Sequence, residues 1–432
     1  MTDLKEIVKQ IGEELSGAGV QTAQYTVASK EPREFNVDGG EFSLFRTLFD
    51  NSLVITAYKD DKKGTISTNS LDRSAVAEAV SNCIQSAEAG IADPAYDIAP
   101  KQENKIFQEG SYEPDVDKLF ARTKELMETI RERHPKILME QMIVKHVKEH
   151  KLYQNTNGTE FETCAGWYSI SLMFSGHEGD STTSFFGSGV TTDNLDRPFI
   201  ELGSIEKDLC DVEAQLSTIP VEGKFEGIAV LTPGSLGSFL YSALANFASD
   251  MVILDKTSIW MDKLGEKVAH DSLTISLAPL DERICCGERY TADGFLSENY
   301  NIIENGVLRS YMLGLYVANK SGYDVAKNSS FAAVIEGGDT SYEDMIKGIK
   351  KGIIVGRFSG GAPSSNGDFS GVAKNSFLVE DGQIKGAVSE TMINGNLADI
   401  LKNIVAISKE TVADGTSVLP YIAVSGVTIS GK

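Results

Sequence analysis

Two histidines stand four apart in His146-Val147-Lys148-Glu149-His150. On a helix this HxxEH spacing brings both imidazoles to one face, one turn apart, where they can hold zinc beside a glutamate base. That chemistry needs a helix, and residues 137–153 read as a strand. Along a strand, residues four apart are separated by roughly 13 Å, against the ~4 Å that two ligands on one zinc span. Two solvated histidines on a β-ribbon are therefore expected. His134, His177 and His270 are isolated and are expected at surface or hydrogen-bonded positions. The five cysteines, Cys83, Cys164, Cys210, Cys285 and Cys286, lack paired CxxC spacing. Reduced, mostly buried thiols are expected, with the adjacent pair pointing to opposite faces of a strand. Gly234-Ser235-Leu236-Gly237-Ser238 fits neither GxSxG nor SxxK, so no serine nucleophile is indicated. No phosphate loop occurs, and the glycines near Gly360, Gly361 and Gly367 do not follow GxGxxG spacing.

The elements that must position any site read as follows. Leu4, Ile7, Val8, Ile11 and Leu15 share one helical face. Strands are expected over 24–28, 34–37, 41–49 and 53–59, with turns at Gly39-Gly40 and Asp60-Asp61. Helices follow over 72–89, with Val76, Val80, Cys83 and Ile84 as its stripe, and over 115–133, with Leu119, Phe120, Thr123, Met127 and Ile130. Residues 137–153 and 160–174 form a hairpin about the turn Asn155-Thr156-Asn157-Gly158. Runs of strands with interspersed helices indicate an α+β domain over 1–216. The stretch 217–227, with Pro220, Gly223 and Gly227, marks the join. A second domain, 217–432, opens with a short strand at 228–231 and a helix over 235–251 carrying Leu236, Leu240, Leu244 and Phe247. Short strands over 302–315, 331–335, 352–358, 376–380 and 421–429, with helices over 341–350 and 397–407, describe a β-rich sandwich or barrel-like domain with peripheral helices.

With 432 residues, two domains of roughly 200 are the expectation. Sixty-two acidic residues against 40 basic ones give a net charge of -22, and the densest basic stretch, 145–151, is small and contains Glu149. Direct nucleic-acid binding, which needs a basic stripe to displace counterions, is not indicated. No apolar run approaches the ~18 residues of a membrane span, and Met1 to Glu6 is acidic and amphipathic, unlike a signal sequence, so a cytoplasmic protein without membrane association is expected.

Several segments carry a resemblance. NIIENGVLRS at 301–310, IEGGDTSY at 335–342, GDFSGVAKNSFLVED at 367–381 and VSETMINGNL at 388–397 are similar to the TldD/PmbA family, also described as modulators of DNA gyrase. The first half agrees through Lys63 to Ser67 and the turn at 155–158, so the similarity covers nearly the whole chain. In that family, zinc-bearing TldD-type and zinc-free TldE/PmbA-type members form a cytoplasmic peptidase complex. The zinc-bearing member uses an HExxxH helix and a cysteine near the C-terminus. The resemblance places Pro233 at the first histidine, Gly234 at the glutamate and Ser238 at the second histidine, and no cysteine follows Cys286. It therefore implies a chain without zinc or any other cofactor, inactive alone, that pairs with a TldD-type zinc-bearing homologue to act on extended peptides. A homodimer is open to the isolated chain, and the sequence does not choose between homodimer and heterodimer. Gly360, Gly361, Asp368, Asn394, Gly395 and Asn396 are the candidate peptide cleft. A homo-oligomeric peptide-binding scaffold and a hydrolase with an unconventional site are the alternatives.

Overall fold

The computed structural model describes residues 3–389 and 391–431. The first half runs α1 (Leu4–Gly17), β1 (Thr22–Asp38), β2 (Glu41–Thr47), β3 (Asp50–Lys59), β4 (Lys62–Thr68), α2 (Arg73–Ala89), β5 (Lys105–Gly110), α3 (Val116–Arg133), β6 (Ile137–Asn155), β7 (Glu160–Glu178), β8 (Ser181–Thr182), β9 (Phe186–Thr192) and α4 (Ile205–Ala214). The second half begins with β10 (Thr218–Ile219), β11 (Lys224–Leu231), α5 (Pro233–Ala248), α6 (Asp250–Leu254), β12 (Ile275–Leu277), β13 (Tyr300–Glu304), β14 (Val307–Leu308), α7 (Leu315–Ser321) and β15 (Ala333–Val334). It continues through α8 (Tyr342–Lys347), β16 (Lys351–Val355), β17 (Arg357–Gly360), β18 (Asp368–Lys374), β19 (Ser376–Glu380), β20 (Gln383–Val388), β21 (Thr391–Asn396), α9 (Leu397–Lys402), β22 (Ile404–Ala413) and β23 (Val418–Ser430). The fold is α+β, with large sheets and peripheral helices. Among the described residues no helix is long and apolar enough to cross a membrane.

The first sheet has the order β4-β3-β1-β6-β7-β5, with β2 added on β1 and β8 and β9 on β7. All five apolar residues of the first helix are buried. They pack with Val76, Val80 and Cys83 of α2 over Val27, Leu53 and Ile55. A second core, built on Leu119, Leu126 and Ile130 of α3, covers the other end of the same long strands. Phe120, expected in that stripe, is half exposed, and Leu126 takes its place.

Residues 24–28 and 34–37 are one continuous strand, not two, despite Pro32 between them. β3 pairs with β1 up to Lys30 and β2 from Arg33, so the proline falls in the gap between them and no ladder bond needs its missing N–H. Lys62–Thr68 is an additional strand, β4, paired with β3.

The second sheet runs β10-β20-β19-β16-β11-β23-β15-β12-β13-β14, with β17, β18, β21 and β22 off this path. β23 is its centre. It pairs with β11 on one side and, on the other, with β22 along its first half and β21 at its end. Leu236, Leu240, Leu244 and Phe247 of α5 all enter the core beneath it. Three expected elements end sooner. The helix from 235 breaks at Ser249 into α5 and α6. The strand from 302 turns at Asn305-Gly306, both at positive φ, and Leu315 begins a helix. The helix from 397 stops at Lys402, and Ile404 to Ile407 belong to β22, where pairing with β23 overrides their helical spacing.

The sheets meet along a seam. The Tyr153 ring lies against Phe161 and Tyr290, and its hydroxyl is 3.0 Å from Gln24 Oε1 and 3.2 Å from the Asp293 carbonyl. Elsewhere on the seam Arg289 pairs with Glu109, the Tyr316 hydroxyl donates to Asp93, and Thr191 N–H donates to the Asp414 carbonyl at 2.8 Å.

Candidate functional site

β11 leads through Thr232 directly into α5. Thr232 caps the helix, accepting from Ser235 N–H, and Pro233 takes the first helical position, where its fixed φ suits the turn and no N–H is needed. The Ser235 hydroxyl donates to the Val355 carbonyl at 2.8 Å and Thr232 Oγ1 to the same oxygen at 3.2 Å. These bonds tie the helix start to the end of β16. Pro233 and Gly234 form one lip of a cleft of about 240 Å³ between the two sheets. The facing wall carries Ser188 of β9 and Lys207, Asp208 and Asp211 of α4, and Asp414 closes one end. Among the described residues no histidine or cysteine lines it.

The electrostatics of this cleft centre on Asp208. Ser188 and Ser204 hydroxyls donate to its Oδ2 at 2.6 and 2.7 Å. Burial nevertheless dominates and raises its pKa from 3.8 to about 6, the two serine bonds opposing the shift. Burial raises Asp211 as well, against its partner Lys207. Asp208 holds its proton more tightly folded than unfolded. Between about pH 4 and 6 the folded chain therefore binds more protons, and stability falls as pH rises through that window. The full shift corresponds to about 3 kcal/mol, at about 1.36 kcal/mol per pH unit. Asp208→Asn is expected to flatten the slope and to gain about 2 kcal/mol at pH 8 with little change at pH 4, as read by urea denaturation across that range. An unchanged slope between pH 4 and 7 would refute the assignment.

Ser238 lies one turn beyond Gly234, exposed, its hydroxyl bonded back to the Gly234 carbonyl at 3.2 Å. Gly360, Gly361, Asp368, Asn394, Gly395 and Asn396 come together elsewhere, at the tip of the β17–β18 hairpin and its partner β21. Asp368 accepts from Asn396 and Asn366, each at 2.9 Å, and these bonds hold its pKa down. Asn396 also caps α9 through Ala398 N–H. A Cβ on Gly367 would strike the Phe247 ring at the far end of α5, about 20 Å from Gly234 at roughly 1.5 Å per residue. The tip is thus separate from the cleft.

His146 and His150 lie on strand β6, as their segment indicates, but His146 is not solvated. It is fully buried, 4.9 Å from the Tyr168 ring, with Nε2 bonded to the Ser111 carbonyl at 2.6 Å. Burial lowers its pKa, leaving a neutral donor. Nothing in the HxxEH spacing anticipates this, because the covering segment is 35 residues away. His150 is half-buried and bonds Glu162 at 2.9 Å. The thiols also differ from expectation: all five are free, yet only Cys83 is buried and Cys210 is exposed. Cys285 and Cys286 sit in a turn with Cys286 at φ +46°, not on a strand.

Sequence reasoning missed Asp208, Asp211 and Ser188. Asp208 and Asp211 of α4 meet Ser188 of β9 only by the packing of that helix on that strand, and no local spacing signals it.

The fold and cleft define a β-rich α+β protein with a carboxylate-lined site at the start of a core helix. Residues 226–431 match the PmbA/TldA metallopeptidase C-terminal domain family. The chain is 25% identical over 440 residues to the metalloprotease PmbA of Escherichia coli O157:H7, covering 95% of this chain and 92% of that protein. It is 25% identical over 298 residues to a zinc metalloprotease TldD homolog of Saccharolobus solfataricus, covering 64% of this chain and 65% of that one. The crystal structure of TldE from Thermococcus kodakarensis shares the fold, with a TM-score of 0.87 at 20% identity over 99% of this chain and 100% of that one. Residues 226–431 carry the C-terminal domain of the PmbA/TldD family, and the likeness to PmbA extends over nearly the whole chain. A zinc centre does not fit the start of α5. Pro233 and Gly234 carry no ligand atom there, and Ser238 is committed to its own helix.

Proposed function

We propose that this chain is the subunit lacking the catalytic zinc in a cytoplasmic TldD/TldE-type peptidase, with residues 1–216 and 217–432 as its domains. It holds extended peptide while a zinc-bearing homologue cuts it. The observation that carries the reading is the cleft at the start of α5. It lies where the resemblance puts the zinc-binding helix, and its lining offers carboxylates and hydroxyls without imidazole, thiol or a base at 234. Groups of this kind hold peptide N–H and ammonium groups but do not assemble a three-ligand zinc with its activated water. Free strand edges add a way to hold extended backbone. Among the described residues β5 pairs only with β7, which leaves its other edge open, and a groove of about 1060 Å³ lies between α1 and the sheet face formed by β5, β6 and β7.

The test is to mix the chain with its zinc-bearing homologue. A stable complex is expected that survives ~0.5 M salt, as an apolar interface does. Peptide cleavage should be chelator-sensitive in the mixture and absent from this chain alone. If the two neither co-elute nor alter each other's activity, the subunit reading fails.

A further inference from the structure

Of the two histidines in the HxxEH segment, one is a packed core residue and the other meets a thiol and a carboxylate across the ribbon. The β6–β7 register sets His150 directly opposite Cys164, and Leu152 opposite Glu162. Glu162 and Cys164 are two apart on one strand and so share a face. His150 Nε2, a Glu162 carboxylate oxygen and Cys164 Sγ all lie within 4.8 Å of one another, and all three residues are half-buried. Among the described residues this is where three such donors converge.

We propose that His150, Glu162 and Cys164 form a site for a borderline-soft divalent cation, zinc in the first place, on the first sheet and independent of the α5 cleft. Imidazole, carboxylate and thiolate are the donors zinc takes, at about 2.0–2.3 Å, which sets ligand atoms roughly 3.3–3.6 Å apart on one tetrahedral ion. Nε2 and the nearer Glu162 oxygen, Oε1, are 2.9 Å apart, so they need only open slightly. The sulfur closes by up to about 1.3 Å, within reach of a side-chain rotation. Calcium and magnesium, which call for oxygen donors, are disfavoured by the sulfur and the ring nitrogen.

The surroundings suit a bound ion. Lys5 of α1 sits 2.9 Å from Glu162 Oε2, leaving Oε1 for the metal. It can therefore stay in place and orient the carboxylate from behind. Burial and the Glu162 charge raise the Cys164 pKa, with Gln108 of β5, Lys5 and Tyr112 opposing, so the thiol holds its proton until a metal displaces it. Binding displaces the thiol proton to solvent, so no other reactant is required. The fourth position opens toward water: His150 borders a cavity of about 220 Å³ and Glu162 the groove beneath α1.

The experiment is equilibrium dialysis of the full chain against zinc, with metal counted by elemental analysis, repeated with cobalt(II). One zinc per chain is expected, and a sulfur-to-cobalt charge-transfer band in the near ultraviolet. Cys164→Ser should remove the band, and both it and His150→Ala should weaken zinc binding by at least about tenfold. Glu162→Gln serves as a third variant, and thermal melts of each establish that it is folded. Absence of saturable binding by the parent chain overturns the proposal, as does zinc retained undiminished by the Cys164→Ser, His150→Ala double variant. The latter result would also count against a metal-free α5 cleft, whereas loss of zinc in the variants leaves the subunit reading untouched.

Discussion

Gly415→Ala is expected to lower the stability of this chain by about 3 kcal/mol or more. Gly415 forms the turn between β22 and β23 at φ +81°, where an L side chain costs about 1 kcal/mol. A Cβ there would stand 1.9 Å from the Thr191 carbonyl oxygen of β9, a contact that no rotamer relieves because the neighbour is backbone. The turn must move away from the first sheet. That motion strains two hydrogen bonds of 2.8 Å, Thr191 N–H to the Asp414 carbonyl and Cys285 N–H to the Gly415 carbonyl, each contributing about 1 kcal/mol. Gly361→Ala is the matched control. Its Cβ meets nothing within 4 Å and its φ lies outside the left-handed region, so a change within about 0.5 kcal/mol is expected. Urea denaturation of both variants at pH 7 decides. Equal losses would show that the turn is not clamped against β9. Because Asp414 closes one end of the cleft, the same substitution should loosen whatever the cleft holds.

Tyr153→Ala is expected to cost about 3–5 kcal/mol, the range for deleting a large buried side chain. Tyr153 is 1% exposed and packs between Phe161 of its own hairpin and Tyr290 of the second half, so its loss opens a void at the seam. Gly294 is part of the same contact, since a Cβ on it would fall 1.9 Å from the tyrosine hydroxyl. Tyr153→Phe removes only the hydroxyl's bonds to Gln24, Asp293 and Asn155 and is expected to cost about 1 kcal/mol. The difference between the two variants separates packing from hydrogen bonding. A loss below about 1.5 kcal/mol for the alanine variant would mean that the seam is held elsewhere. Faster proteolysis near residue 217 in that variant would accompany the loss if the two halves come apart.

Both residues lie outside any motif, and the sequence does not mark them. The helices α1, α2 and α3 were legible because apolar residues recur there every three to four positions, and their amphipathic faces pack as that period demands. The β6–β7 hairpin was legible from its Asn155 to Gly158 turn, and with the turn located, the pairing of His150 with Cys164 follows by counting outward. Residues 24–37 were harder. Pro32 reads as a break, and only the placement of β2 and β3 on either side of it reveals one strand. Residues 404–407 continue the helical spacing of α9, but β23 offers them a ladder, and pairing wins over propensity.

What the sequence determined alone is therefore local: the helical and strand periods, the turn that sets a register, and the side-chain chemistry at 233, 234 and 238, where proline, glycine and serine cannot supply two imidazoles and a carboxylate in any fold. The tertiary structure decided which groups meet. It buried His146 beneath Ser111, raised Asp208 by enclosing it between α4 and β9, and left Cys285 and Cys286 in a turn at the seam. Burial and through-space proximity depend on how distant segments pack, and that packing minimises exposed apolar surface over the whole chain without regard to separation along it.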